Sequence, residues 1–227
     1  MLLREDDHVL FYGDSITDGD RRVEKFNNSG LGRGYPALIG PILSARYPDL
    51  NLKFTNRGVS GNRVYDLEAR LQADVMDLEP TVVSILIGIN DTWRRYDSSR
   101  VSPVDEFEAS YDRICRAVRD KLGARLVICE PFLLPIPDDR IAWREDLDPR
   151  IAAVRHVAVK HRACYVPLDG IFAAAACRRE MGFWLPDGVH PSPAGHGLIA
   201  EYWIRAVAEC CESVSPRRKQ RKRKAKQ

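Results

Sequence analysis

Val9-Leu10-Phe11-Tyr12-Gly13-Asp14-Ser15-Ile16-Thr17-Asp18-Gly19 is the stretch whose reading decides the fold. Four apolar, strand-prone residues run into a glycine and then a polar turn, the pattern of a short strand buried on both faces. Runs of the same kind return at residues 52–55, 82–87, 125–129 and 164–166. Between them lie segments of helical period at about residues 35–46, 63–78, 104–122 and 149–161, and a last one at 193–211 closes the set. In the second, Val64, Leu67, Leu71, Val75 and Leu78 recur at spacings of three and four and mark one buried helical face. The last opens on Ser192-Pro193, a capping residue followed by proline at the first helical position, where its missing N–H does no harm. Strands alternating with helices predict an α/β fold with a parallel sheet flanked by helices. Nothing in residues 1–212 repeats or reads as a linker, so they are expected to form a single domain.

Composition narrows the function classes. Hydrophobic residues make up 44% and charged residues 30% of the 227, the balance of a globular chain. The net charge of +3 comes from the C-terminus, where residues 216–227 carry eight of the 35 basic residues. Without them 27 basic residues face 32 acidic ones, and the body is five charges negative, with no nucleic-acid signature. The tail, residues 213–227, is expected to be a disordered, solvated terminus in preference to a DNA-binding arm. No segment reads as a secretion signal, and no run approaches the roughly 18 apolar residues of a membrane span, so a cytoplasmic location is expected. The six cysteines show neither CxxC pairs nor zinc-site spacing and are expected to be reduced and mostly buried. Gly30-Leu31-Gly32-Arg33-Gly34 has the wrong spacing for a dinucleotide fingerprint, so neither a metal nor a cofactor is expected.

The residues that carry chemistry follow strand ends. Ser15 stands just past the first strand, at the end of a parallel sheet that faces the ligand crevice. A serine becomes a nucleophile only when a base takes its proton and a third group holds that base in the right tautomer. His190 lies in Asp187-Gly188-Val189-His190, where a carboxylate three residues earlier and an intervening glycine let Asp187 reach the imidazole. His196 sits inside the last helix without such a carboxylate, and reads as a helix-face histidine with a satisfied hydrogen bond. His156 and His161 read as surface residues. Attack on an ester creates an oxyanion that needs preorganised donors. Gly61, in Asn56-Arg57-Gly58-Val59-Ser60-Gly61-Asn62, and Asn90, in Gly88-Ile89-Asn90-Asp91, each follow a further strand and offer a backbone N–H and a side-chain amide. Either motif alone reads as turn chemistry; it is the convergence of three strand ends on one rim that points to an ester-cleaving site with Ser15, Asp187 and His190 catalytic and Ser15, Gly61 and Asn90 as oxyanion donors. Trp93 and Trp184, close in sequence to these blocks, are candidates for stacking on a sugar ring or for ordinary packing. The two long polar segments, residues 18–34 and 131–149, read as loops that wall the site or as solvated insertions.

These blocks resemble the SGNH hydrolases, or GDSL-type esterases, whose four marker residues match Ser15, Gly61, Asn90 and His190, with Asp187 in the family's Asp-x-x-His block. The match is in the family's order and spans residues 13–190. It implies a three-layer α/β/α, flavodoxin-like fold with strand order 2-1-3-4-5. The longer strings Val59-Ser60-Gly61-Asn62-Arg63-Val64 and His190-Pro191-Ser192-Pro193-Ala194-Gly195-His196 resemble those of intracellular acetylxylan and xylo-oligosaccharide acetylesterases. That likeness implies removal of acetyl groups from sugar hydroxyls, in a homo-oligomer. A broad short-chain esterase or lysophospholipase-type hydrolase with the same residues is the alternative.

Overall fold

The computed structural model describes residues 1–23 and 29–210; the basic tail and Cys211 lie outside the described residues. Its five strands are β1 (His8–Gly13), β2 (Lys53–Gly58), β3 (Val82–Leu86), β4 (Arg125–Cys129) and β5 (Cys164–Val166). All pair in parallel, in the order β2-β1-β3-β4-β5. The helices are α1 (Ser15–Asp18), α2 (Tyr35–Arg46), α3 (Val64–Asp74), α4 (Ile89–Asp97), α5 (Val104–Leu122), α6 (Arg144–His161), α7 (Leu168–Ala176), α8 (Met181–Trp184) and α9 (Pro193–Glu209). Among the described residues no helix is long and apolar enough to cross a membrane.

Two cores lie on opposite faces of the sheet, and the two-residue period of β1 divides its side chains between them. Val9 and Phe11 join Tyr35, Ile39 and Leu43 of α2 and Ile199 and Trp203 of α9. Leu10 and Tyr12 join Val64 and Leu67 of α3, Phe107, Tyr111 and Ile114 of α5, and Val154 of α6. This is the three-layer arrangement, with every side chain of β3 buried because both faces are covered.

Several boundaries differ from the sequence reading. Strand β2 runs to Gly58 and is half exposed rather than buried on both faces, because it is an edge strand. Helix α6 begins at Arg144, ahead of Pro149, which lies inside it at the cost of one backbone bond. Buried Asp146 and Leu147 anchor that extra turn. The segment 131–149 is therefore a loop only as far as the 3₁₀ turn Asp138–Trp143. Helices α1, α4, α7 and α8 had no counterpart in the sequence reading; α4 is hidden because its first residues, Ile89-Asn90-Asp91, are the turn motif itself. His161 is buried, not a surface residue, and its Nε2 lies 2.7 Å from the Asp112 carboxylate.

One buried amide fixes the site to the sheet. Asn56 on β2 donates to the carbonyls of Thr17 (2.6 Å), Asp18 (3.3 Å) and Leu31 (2.9 Å), and its Oδ1 accepts from Gly58 N–H at 2.8 Å. It ties the turn after Ser15 and the loop near Leu31 to one strand. Asn56→Leu strands these groups without partners, and chemical denaturation is expected to read a loss of about 3 kcal/mol; a loss below about 0.5 kcal/mol would contradict this account of the anchor.

Candidate active site

The strand registers bring three distant segments to one rim. Gly13 pairs with both Gly58 and Leu86, and Leu86 with Cys129, so β1 to β4 end level with one another. The chain leaves β1 for Ser15, β2 for Gly61 and β3 for Asn90 on that same edge.

Ser15 is the first residue of α1, with Asp14 as its cap, accepting from Ile16 N–H at 3.0 Å. Asp14 is wholly enclosed, and burial pushes its carboxyl up to about 7. No acceptor is found for Ser15 N–H among the described residues, as expected of a first-turn amide.

His190 reaches Ser15 from the loop between α8 and α9. Its Nε2 lies 3.1 Å from Ser15 Oγ, and its Nδ1 lies 2.7 Å from Asp187 Oδ2. The other carboxylate oxygen accepts the backbone N–H groups of Val189 (3.0 Å) and His190 (2.7 Å), so Asp187 is held by the loop it orients. Gly188 makes this possible: its φ is +81°, and a Cβ there would fall 2.4 Å from Leu134 O and 2.2 Å from Ile136 O. Its own carbonyl accepts from Leu134 N–H at 2.9 Å, which staples the histidine loop to the segment after β4. Ser192 then caps α9, its Oγ accepting from Gly195 N–H at 3.1 Å and donating to Phe183 O at 2.6 Å.

Gly61 and Asn90 stand on the same rim. Gly61 adopts φ +79°, a left-handed conformation that strains any L side chain, and its N–H has no acceptor among the described residues. Asn90 is in the first turn of α4, and its Nδ2 donates to Asn62 O at 3.1 Å and, at a longer 3.4 Å, to Asp14 Oδ2. The short bond fixes the amide, and the long one is the hydrogen most readily turned to a new acceptor. Neighbouring Asp91, buried and pushed up to about 7 by that burial, accepts from Val64 N–H at 3.2 Å and Ser102 Oγ at 3.3 Å. It thereby locks the start of α3 to the start of α4.

An aromatic wall stands beyond the imidazole. The Trp93 ring centroid is 5.8 Å from that of His190 and 5.2 Å from that of Trp143, and Trp143 stacks with Tyr96 at 5.4 Å. The Arg140 guanidinium lies 4.6 Å from the Trp93 centroid and 4.7 Å from that of Trp143. Trp184 is placed differently: its indole N–H donates to Ala175 O at 3.1 Å and its ring meets Phe183 edge-on, which ties α8 to α7. Arg95 is occupied by Glu145 and Asp146, and Arg94 by Asp97. His196 Nδ1 accepts from Tyr35 N–H at 3.2 Å, and burial lowers its pKa to about 4, so it is a neutral, structural ring. Asp14, Asp91, Arg140 and Trp143 escaped the sequence reading; Asp14 and Asp91 flank the named residues, whereas Arg140 and Trp143 carry no motif.

The electrostatics poise the imidazole. The hydrogen bond that the His190 ring donates to Asp187 raises the His190 pKa above the ordinary imidazole value against the opposing effects of burial and the Arg140 charge. Burial pushes Asp187 upward, but hydrogen bonds from the His190 ring and from the backbone N–H groups of His190 and Val189 overcome it and hold the carboxyl well below its usual range. The raised histidine pKa adds stability below the unfolded value of about 6.5 and loses it as pH rises through the folded value. The depressed aspartate adds stability above about 3.9 and loses it as pH falls. An NMR titration is expected to place the His190 midpoint above 6.5, and Asp187→Asn to move it down; a midpoint unchanged by that substitution would contradict the assigned coupling.

Residues 11–198 match the GDSL-like Lipase/Acylhydrolase family. An acetylxylan esterase of Geobacillus stearothermophilus is 33% identical over 213 residues, 91% of this chain and 96% of that protein. The crystal structure of that organism's acetylxylan esterase Axe2 has a TM-score of 0.82 at 32% identity, covering 91% of this chain and 96% of its own. An alpha/beta hydrolase enzyme from the metagenome of Lake Arreo, Spain, has a TM-score of 0.82 at 32% identity, covering 92% and 98%. Catalytic mutants of Axe2 with known structures replace a serine, an aspartate and a histidine by alanine.

Proposed function

Starting from the premise that this chain belongs to the GDSL-like lipase/acylhydrolase family and is a carboxylic ester hydrolase, we propose that it is a serine esterase removing acetyl groups from acetylated sugars of the xylan or xylo-oligosaccharide type. The observation that carries the reading is the continuous chain from Ser15 Oγ through His190 to Asp187, at 3.1 and 2.7 Å, on the rim that also holds Gly61 and Asn90. The sugar acetate is supported by the 33% identical acetylxylan esterase and by the half-buried Trp93 ring beside the imidazole.

In this mechanism His190, oriented by Asp187, takes the Ser15 proton as Oγ attacks the acetyl carbonyl. The carbonyl oxygen becomes an oxyanion held by Ser15 N–H, Gly61 N–H and the Asn90 amide. The imidazolium returns the proton to the departing sugar oxygen, leaving acetyl-serine. Water, deprotonated by His190, then attacks that ester, releases acetate and restores Ser15. Every step uses side chains and backbone of this chain. The partners in this reading are the acetylated saccharide and further copies of the same protein, for which α2 offers the exposed apolar residues Leu38 and Ile42.

Ser15→Ala is expected to lower p-nitrophenyl acetate turnover by at least about a thousandfold with an unchanged circular dichroism spectrum. Wild-type turnover retained in that variant would overturn the assignment of the nucleophile. Along a p-nitrophenyl series from acetate to octanoate, kcat/KM is expected to be highest for acetate and to fall as the acyl chain lengthens. A maximum at octanoate would favour the short-chain esterase or lysophospholipase-type reading and overturn the sugar-acetate one.

A further inference from the structure

Arg140 differs in its surroundings from the other shielded arginines. Its side chain is nine-tenths buried, yet it makes no hydrogen bond and no ion pair among the described residues, and Nη1 is shut from solvent without an acceptor. Other shielded arginines are engaged: Arg21 with Gly58 O and Asp18, Arg125 with Asp7 and Leu2 O, Arg144 with Asp169, and Arg150, although its Nη1 also lacks an acceptor, with Asp146 and Ser102 O. A guanidinium stays protonated at every pH the protein meets, so burial cannot be relieved by losing the charge. Contact with Trp93 and Trp143 holds the group in place through the ring faces but satisfies none of its N–H donors. What the fork's Nε and Nη2 donors, which are not sealed as Nη1 is, fit is a planar anion bound through two parallel N–H···O contacts.

Its position says which part of a substrate would bring that anion. In the reaction proposed above, the departing alcohol must lie within reach of His190 Nε2, on the side of the imidazole away from the oxyanion donors. Trp93 is an aromatic neighbour of that base, its ring centroid 5.8 Å from that of His190, and the Arg140 guanidinium lies 4.6 Å from the Trp93 centroid. The charge of Arg140 is also felt at the imidazole, which it disfavours in the protonated form. A carboxylate bound to Arg140 would offset that effect.

We propose that Arg140 is a specificity-determining residue that binds a carboxylate on the alcohol half of the ester, so that the preferred substrate is an acetylated acidic sugar, a uronate or an oligosaccharide bearing one. The inference deepens the acetyl-sugar reading and rests on it. Trp93 supplies the apolar floor for the sugar ring, and Arg140, brought by the segment between β4 and α6, reads its acid group.

The test compares two synthetic esters, mono-acetylated methyl β-glucuronoside and the matching mono-acetylated methyl β-glucoside. The wild-type enzyme is expected to favour the uronate in kcat/KM by about tenfold to a hundredfold, the range of one charge-assisted hydrogen-bonded pair. In Arg140→Gln the ratio of the two is expected to fall to near one, and Arg140→Lys to lie between. Equal efficiency on the two esters in the wild type, or a preference unchanged in Arg140→Gln, overturns the inference while leaving the acetyl-sugar reading intact. If neither sugar ester is turned over while p-nitrophenyl acetate is, the acetyl-sugar reading falls and this inference with it. Should Arg140→Gln fail to fold, the wild-type protein alone decides: unacetylated methyl β-glucuronoside is expected to inhibit p-nitrophenyl acetate hydrolysis at concentrations where methyl β-glucoside does not, and equal inhibition by both overturns the proposal.

Discussion

Because Gly13 lies opposite both Gly58 and Leu86, the first three strands in spatial order end at one level, and everything chemical in the molecule depends on that register. A slip of one residue would send Ser15, Gly61 or Asn90 to another height, and would turn each strand's apolar set to the wrong face. The two cores hold the register from both sides, through Phe11 against Tyr35 and Trp203 and through Tyr12 and Leu10 against α3 and α5. Asn56 then carries it into the turn after the serine, since one amide bonds three carbonyls of the loops that leave β1.

The histidine arrives by a separate route. It is not on a strand end of the sheet but on a loop whose path is set by Gly188 against the segment 134–136, and by Ser192 at the start of α9. Asp187 both pairs with the imidazole and accepts two backbone N–H groups of its own loop. Around them the charges are poised rather than neutralised. Asp187 favours the imidazolium and Arg140 opposes it, while buried Asp14 also favours it.

The parallel α/β sheet was legible because short apolar runs bounded by glycine and polar turns have few other readings, whereas its strand order came from the family resemblance; β4, β5, α2 and α5 fall where the strand and helix patterns lie. Ser15, Asp187, His190, Gly61 and Asn90 were singled out because each sits in a local motif with a spacing constraint, and the fold brings Ser15, Asp187 and His190 into one hydrogen-bonded chain. What the sequence did not disclose depends on non-local contact. Helix α4 begins within a turn motif, and α6 continues ahead of a proline that reads as a start. His161 is buried only because α5 places Asp112 beside it. Arg140 and Trp143 belong to a segment without periodicity, and only the fold reveals that they stand over Trp93.

The central claim is that Ser15 N–H, Gly61 N–H and the Asn90 amide converge on one oxygen while His190 serves the same serine. Reaction with an organophosphate such as paraoxon, followed by a crystal structure of the adduct, tests it most directly. The account predicts phosphorylation of Ser15 alone, with the phosphoryl oxygen about 2.7–3.1 Å from all three donors, the Asn90 contact replacing its long bond to Asp14. A label on another residue, or a phosphoryl oxygen turned to solvent with Asn90 still on Asp14, would contradict it.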